Sequence, residues 1–227
     1  MQTFQRNEKK YLLDQLQYEQ ILEDLKPYVE EDRFYRSKIR SVYYDTDSYE
    51  LIRRSIEKPE YKEKLRIRSY EEAGPDEKVY VELKKKYDGI VYKRRTRALC
   101  GQLLQDISKA KFKDPQIGKE IGYALNFYRN LKPAVYIGCT RTSYRSRNGD
   151  IRITFDQDIS YRMKDLSLKS DPSDKQVTDR TVMEIKVKDA YPLWLCRILD
   201  KNQAYPQGFS KVGTAFMKEI KGGINYD

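Results

Sequence analysis

Tyr80-Val81-Glu82-Leu83-Lys84-Lys85-Lys86-Tyr87-Asp88-Gly89-Ile90-Val91-Tyr92-Lys93 is the stretch of this 227-residue chain whose reading decides the fold. Glu82, Lys84 and Lys86 stand at every second position with Val81 and Leu83 on the other parity, and a second run follows Asp88-Gly89 at once. Successive side chains of a strand point to opposite faces, so such a run has one apolar face and one ionic face. Asp-Gly is favoured in two-residue hairpin turns, whose central residues take positive φ. The stretch therefore predicts an antiparallel hairpin, with strands near 78–87 and 90–97, that is charged along one side.

The same alternation recurs outward from this hairpin, in Arg6-x-Glu8-x-Lys10, Lys64-x-Arg66-x-Arg68, Arg152-x-Thr154-x-Asp156 and Glu184-x-Lys186-x-Lys188. Period-2 segments and turn signals predict eight strands, near 3–11, 36–44, 64–70, 78–87, 90–97, 135–146, 150–161 and 181–188. Asn148-Gly149 marks a second tight hairpin and Glu71–Glu77, with Gly74-Pro75, a looser one. Antiparallel pairing should dominate. Helices are expected between the strands: one after a cap at Asp14 with Gln17 three residues on, running to Val29, and a short one opened by Asp47 and Glu50. Others are expected near 101–112, 116–130, 191–201 and 210–221, with 164–179 a solvated loop.

A two-faced sheet commonly shows its charged face to water, but the signs here are biased. Arg6, Lys10, Lys64, Arg66, Arg68, Lys84, Lys86, Lys93, Arg141, Arg152 and Lys186 oppose only Glu8, Glu82 and Glu184 on the assigned face. Like charges on neighbouring strands repel, so a merely solvated face normally mixes signs. Eight antiparallel strands that curl until their edges meet would turn this face inward, around a wet bore that needs a polyanion. The fold expected is mainly β (α+β): a closed eight-stranded antiparallel barrel with helices packed outside, in one domain spanning 1–227.

Composition narrows the chemistry. The formal net charge is +10, which points to anionic partners. There is no histidine, so imidazole is excluded as metal ligand, general base or triad member. Cys100, Cys139 and Cys196 are odd in number and widely spaced, unlike a disulfide framework or a zinc ribbon, and fit a reducing cytoplasm. No apolar run approaches the roughly 18 residues of a membrane span, so a soluble, cytoplasmic chain is expected, one that could dock on a membrane through a partner. Most of the 20 tyrosines should pack with a wet hydroxyl rather than stack on bases, and strictly alternating charges argue against a nucleic-acid partner.

At this point the chain resembles the VTC domain, the catalytic domain of polyphosphate polymerases of the vacuolar transporter chaperone family, within the triphosphate tunnel metalloenzyme superfamily. The pieces that carry the resemblance are Arg6-Asn-Glu8-Lys-Lys10-Tyr11, Ser41-Val-Tyr-Tyr-Asp45-Thr, Lys64-Leu-Arg66-Ile-Arg68, Val81-Glu82-Leu-Lys84 and Tyr92-Lys93-Arg94-Arg95. They continue with Thr140-Arg141-Thr142, Ile151-Arg152-Ile-Thr-Phe-Asp156, Met183-Glu184-Ile-Lys186 and Phe209-Ser210-Lys211. The resemblance implies an eight-stranded tunnel that moves the terminal phosphoryl group of ATP onto inorganic polyphosphate with Mn2+ or Mg2+. It implies catalytic roles for Lys10, Arg66, Arg68, Lys84, Arg141, Arg152 and Lys186, and phosphate contacts from Arg6, Lys93, Ser210 and Lys211. It places the metal on Glu184, with Glu8 a second candidate. Cys139 stands where better-known members carry a tyrosine, a departure that touches one nucleotide or phosphate contact.

Phosphoryl transfer needs alignment and charge stabilisation more than covalent help, so an Arg and Lys lining with one metal suffices. A polyphosphate end is already ionised and needs no base, whereas hydrolysis would use a carboxylate such as Glu8 or Glu82. A tunnel triphosphatase and a non-catalytic polyphosphate- or nucleotide-binding module are the competing readings. Ser210 could equally be a helix N-cap, while Lys86, Arg94 and Arg95 read as rim or solvated positions.

Overall fold

The computed structural model describes residues 7–57, 59–88 and 90–223. Strands β1 (Asn7–Leu13), β2 (Val29–Asp45), β3 (Tyr61–Ser69), β4 (Lys78–Tyr87) and β5 (Ile90–Leu99) occupy the first part of the chain. They are followed by β6 (Lys132–Ser146), β7 (Ile151–Arg162), a two-residue β8 (Lys175–Gln176) and β9 (Thr181–Val187). Among the described residues six α-helices intervene: α1 (Gln15–Leu25), α2 (Glu50–Glu57), α3 (Cys100–Asp106), α4 (Pro115–Tyr128), α5 (Leu193–Lys201) and α6 (Lys211–Gly223).

The strands form one sheet in the order β1-β9-β7-β6-β2-β3-β4-β5, with β8 beside β7. Among the described residues β1 and β5 are not paired with each other, so the sheet is open where a closed eight-stranded barrel was expected. β5 is built as an edge: Lys93, Arg94, Arg95 and Arg97 line it, and charged side chains discourage further strand pairing. At the other edge Gln207 donates its backbone N–H to the Lys10 carbonyl at 2.7 Å, covering part of β1.

The chain divides into two compact units. One is formed by the chain up to Lys38 with Cys139–Ile159 and Thr178–Phe209; the other by Ile39–Gly138, Ser160–Val177 and the chain from Ser210. In the first, alternate residues of β7 and β9, Ile153, Phe155, Met183 and Ile185, bury against Ile21 and Leu25 of α1 and Leu195 and Ile198 of α5. The Asp14–Gln17 capping box forms as expected, but α1 stops at Leu25, two residues before Pro27, and Val29 starts β2 instead. In the second unit, Val42, Leu65, Ile67, Val81 and Leu83 bury against Leu51 of α2, Leu103 of α3 and Ile121 and Ala124 of α4.

The two hairpins signalled by glycine differ. Tyr87 pairs with Ile90, which leaves a two-residue turn, and Asp88 takes φ +41 as that turn requires; Gly89 lies outside the described residues. At the other, only Gly149 has positive φ (+78), and its N–H donates to the Ser146 carbonyl at 2.8 Å, so the connection is a wider turn. Asn148 Oδ1, accepting from the Ser146 hydroxyl at 2.6 Å, holds the wider form. The Gly74-Pro75 hairpin rests on α3, where Gly101 N–H donates to the Pro75 carbonyl at 2.8 Å and a Cβ would lie 3.0 Å from the proline ring.

The expected solvated loop at 164–179 is anchored instead. Buried Arg162 donates to Asp174 at 2.6 Å and to the carbonyls of Asp165, Ser167 and Lys169, with its guanidinium 4.1 Å over the Tyr136 ring. Leu168 is wholly buried and bridges Ala73. A loop needs such internal donors when its backbone leaves water, and one arginine with several N–H groups supplies them.

Candidate functional site

Each unit carries its own charged face. In the first, strand register sets the side chains in rows: Glu8 opposite Lys186 and Lys10 opposite Glu184 between β1 and β9. Arg152 and Thr154 stand across from the same Lys186 and Glu184 on β7. The intervening residues are the core described above, so parity alone fixes which side chains meet here. The Lys186 ammonium is in contact with the Glu184 carboxylate and lies 3.8 Å from that of Glu8. Burial pushes the Glu184 acid up, but Lys186, Lys10 and Arg141 outweigh it and hold the group ionised well below the usual carboxylate range. Lys10 also donates to the Phe209 carbonyl at 3.2 Å.

Arg141 is gripped by Asp156 in a two-pronged pair, Nε to Oδ1 at 2.5 Å and Nη2 to Oδ2 at 2.7 Å. Asp156 is 2% exposed and adds an acid to a face where the sequence had counted only three. Cys139 sits two residues earlier on β6, on the parity of Arg141, and is buried. Arg152 does not join the group: its Nε forms an ion pair with the Asp32 carboxylate at 2.8 Å and nearly half its side chain remains exposed.

The second face is organised by one carboxylate. Across β3, β4 and β5, Lys64, Lys84 and Lys93 stand in one row and Arg66, Glu82 and Arg95 in the next. Glu82 is 1% exposed and accepts from Arg66, Lys93 and Arg95 at 2.7–2.8 Å, with Arg68 at 4.0 Å. Burial would raise its pKa, but Arg66, Arg68 and Lys93 drive it far below the carboxylate range. Arg66 sends its remaining arm to the Tyr43 hydroxyl at 2.7 Å, and Arg68 donates to Ser41 at 3.1 Å. Burial opposes ionisation of Tyr43, yet Arg66, Lys64 and Arg68 together bring its pKa down to about 7. Lys64 donates to the Ser210 hydroxyl at 3.0 Å.

Ser210 caps α6 and also touches the charged face. Its hydroxyl accepts from Gly213 N–H at 3.3 Å as an N-cap of α6, and from Lys64 as part of the charged face. Lys211 is the first residue of that helix, where backbone N–H groups suit an anion. Arg6 lies outside the described residues. Arg95, read as a rim position, belongs to the Glu82 group, and Lys93-x-Arg95-x-Arg97 carried the parity that reveals it. Arg94, on the other parity, pairs with Glu120 at 3.0 Å. Tyr43 and its role under Arg66 were missed, because nothing in a Val-Tyr-Tyr run tells which tyrosine meets an arginine.

A divalent metal can be tested against the first face. Glu8 and Glu184 converge on the Lys186 ammonium, with Lys10 and Arg141 also acting on Glu184. Across from Glu184 the Thr154 hydroxyl is buried without a hydrogen-bond partner among the described residues. No three Asp, Glu, Cys or His side chains gather there or elsewhere among the described residues. Mg2+ characteristically takes one or two carboxylates and completes its shell with phosphate oxygens and water, so the oxygen donors present fit such an ion.

A crystal structure of a candidate adenylate cyclase from Bacillus halodurans is similar in fold, with a TM-score of 0.54 at 14% identity over 89% of this chain and 92% of that one. A second candidate adenylate cyclase, from Vibrio parahaemolyticus, gives a TM-score of 0.49 at 13% identity, with 97% and 99% covered. No curated protein matches. No helix among the described residues is long and apolar enough to cross a membrane. The VTC domain profile matches residues 5–218, nearly the whole chain, and with the ordered motifs from Glu8 to Lys211 it establishes that this chain belongs to the VTC domain family.

Proposed function

We propose that this chain is an ATP-dependent polyphosphate polymerase, transferring the terminal phosphoryl group of ATP to a growing phosphate chain. The observation that carries the reading is the cross-strand row Lys64, Lys84 and Lys93, set beside the arginines gathered on Glu82. Like charges directly opposite one another destabilise a sheet, and a phosphate chain would neutralise them at regular spacing.

In this reading Arg66, Arg68, Lys84 and Lys93 hold phosphate on one face, with Ser210 and Lys211 presenting a hydroxyl, an ammonium and helix amides to another phosphoryl group. Lys10, Arg141 and Lys186 neutralise charge that builds on the transferring group, and the Asp156 grip keeps the Arg141 fork aimed. Arg152 would join by exchanging Asp32 for a phosphate oxygen. Glu184, with Glu8, would hold Mn2+ or Mg2+, which when bound shields and orients phosphate oxygens. The attacking chain end is an anion already, so the absence of histidine is no obstacle. Glu82, kept ionised by its cations, is a poor proton acceptor, which favours transfer over water activation at that position.

Incubation with ATP and Mn2+ should yield a phosphate polymer resolvable on a gel. Orthophosphate alone would establish a triphosphatase instead, and binding of tripolyphosphate without turnover would leave a binding module.

A further inference from the structure

The end of the β4–β5 hairpin is apolar on one face and carries one aliphatic side chain, Val91, beside Lys86 on the other. Tyr87, Ile90 and Tyr92 share the parity of the core residues Val81 and Leu83, while Val91 points the other way. Beside them α4 shows Tyr123 and Phe127, stacked at 6.3 Å, with the Lys85 ammonium 5.8 Å over the Tyr123 ring. These six apolar and aromatic residues are between 39% and 66% exposed. Opposite Val91, Lys86 offers an apolar stem with a charged end, which suits a bilayer surface where such side chains lie along apolar groups and keep the ammonium among headgroups.

Beside and behind the tip, Lys85 and Lys86 on β4 and Arg94 on β5 form a cationic collar outside the phosphate rows, and Asp88 is the sole acid between Lys84 and Arg95 along the chain. Two of them hold carboxylates at the same time, Lys85 with Glu63 and Arg94 with Glu120. Tyrosines at the depth of headgroups, aliphatic residues below them and cations above are the arrangement by which proteins sit on an anionic bilayer. A second copy of the chain is disfavoured as the occupant, because a two-fold interface sets each residue patch against itself and would press the lysine collars together.

We propose that this hairpin tip, with the Tyr123–Phe127 flank of α4, is a shallow membrane-docking wedge for anionic lipid surfaces. Its occupant is a bilayer, and the proposal stands apart from the enzymatic reading, since neither the apolar wedge residues nor the collar cations Lys85, Lys86 and Arg94 belong to the cationic rows assigned to phosphate.

The test is co-sedimentation of the full chain with vesicles of phosphatidylcholine alone or with phosphatidylserine, in saturating tripolyphosphate so that the phosphate-binding faces are filled. The chain should pellet with the anionic vesicles only, less so as salt rises, and Val91→Glu with Tyr92→Glu should lower the apparent affinity at least tenfold. Val91→Ser alone, a milder change at an exposed position, should lower it by a smaller factor and guards against misfolding of the double variant. No binding to anionic vesicles, undiminished binding by both variants, or abolition of binding by tripolyphosphate would overturn the proposal. Concentration-dependent self-association that Val91→Glu removes would overturn it too, by making a second copy the occupant.

Discussion

Glu82→Gln separates two consequences of the carboxylate at the centre of the second face. In the unliganded protein Glu82 neutralises Arg66, Lys93, Arg95 and, at longer range, Arg68. Removing one partner of a buried pair costs about 3–5 kcal/mol. The four cations here keep 12–46% of their side chains exposed, and screening reduces the cost to about 2–3 kcal/mol. In a chain of this length about 2–4 °C of Tm follows each kcal/mol, so the variant should melt about 5–10 °C lower. The same carboxylate repels any phosphate that approaches those cations. At an effective dielectric of about 20 and a separation of about 6 Å that repulsion is about 3 kcal/mol. Screening by salt and water leaves roughly half, so tripolyphosphate should bind about tenfold tighter to the variant. Ligand binding stabilises the folded state in proportion to the logarithm of occupancy, so the tripolyphosphate increment in Tm should grow while the unliganded Tm falls. Thermal melts with and without tripolyphosphate, with calorimetric titration, read both quantities. An unchanged unliganded Tm, or weaker binding by the folded variant, would refute the idea that Glu82 and phosphate compete for one set of cations.

Tyr43 should ionise near pH 7, visible as tyrosinate absorbance that Tyr43→Phe removes. Because the folded pKa lies below the unfolded value near 10, its stabilisation is complete above pH 10 and lost as pH falls through 7, while tripolyphosphate binding should weaken as pH rises through 7 and take up a proton. Glu184→Gln should abolish the Mn2+ dependence of turnover yet leave tripolyphosphate binding within a few-fold, as measured by titration without metal; loss of metal-free binding would show that Glu184 acts only by placing Lys186. Asp45, wholly buried, accepts from the amides of Thr46, Leu51 and Ile52 at 2.8–2.9 Å, so Asp45→Ala should cost about 2–4 kcal/mol in denaturant unfolding; a loss under 1 kcal/mol would show that water replaces it.

What could be read from sequence was whatever depends on parity and local turns. Alternation in β3, β4, β7 and β9 fixed which residues are buried, and the Asp14–Gln17 cap and Asp88 turn are properties of a few adjacent residues. The start of β2 was hidden because Val29-Glu30-Glu31-Asp32-Arg33 has no period-2 pattern and follows a helix whose apolar spacing extends onto Val29. Pairing within the charged faces depends on which neighbours a strand receives: Arg152 meets Asp32 rather than the Glu184 group, and four cations choose Glu82. Barrel closure depends on how two edges meet, about which no single strand carries information.

The anchoring of 164–175 by Arg162 also bears on how this protein can be engineered. Rich in Lys, Ser and Asp, the segment invites use as a site for tags, insertions or new termini, which exposed polar loops usually tolerate. Its carbonyls are spoken for by a buried guanidinium and Leu168 is a core residue, so a lengthened version would strand a charge inside the protein. The turn at Arg147–Asp150, exposed and closed by short local bonds, is the better place to open the chain.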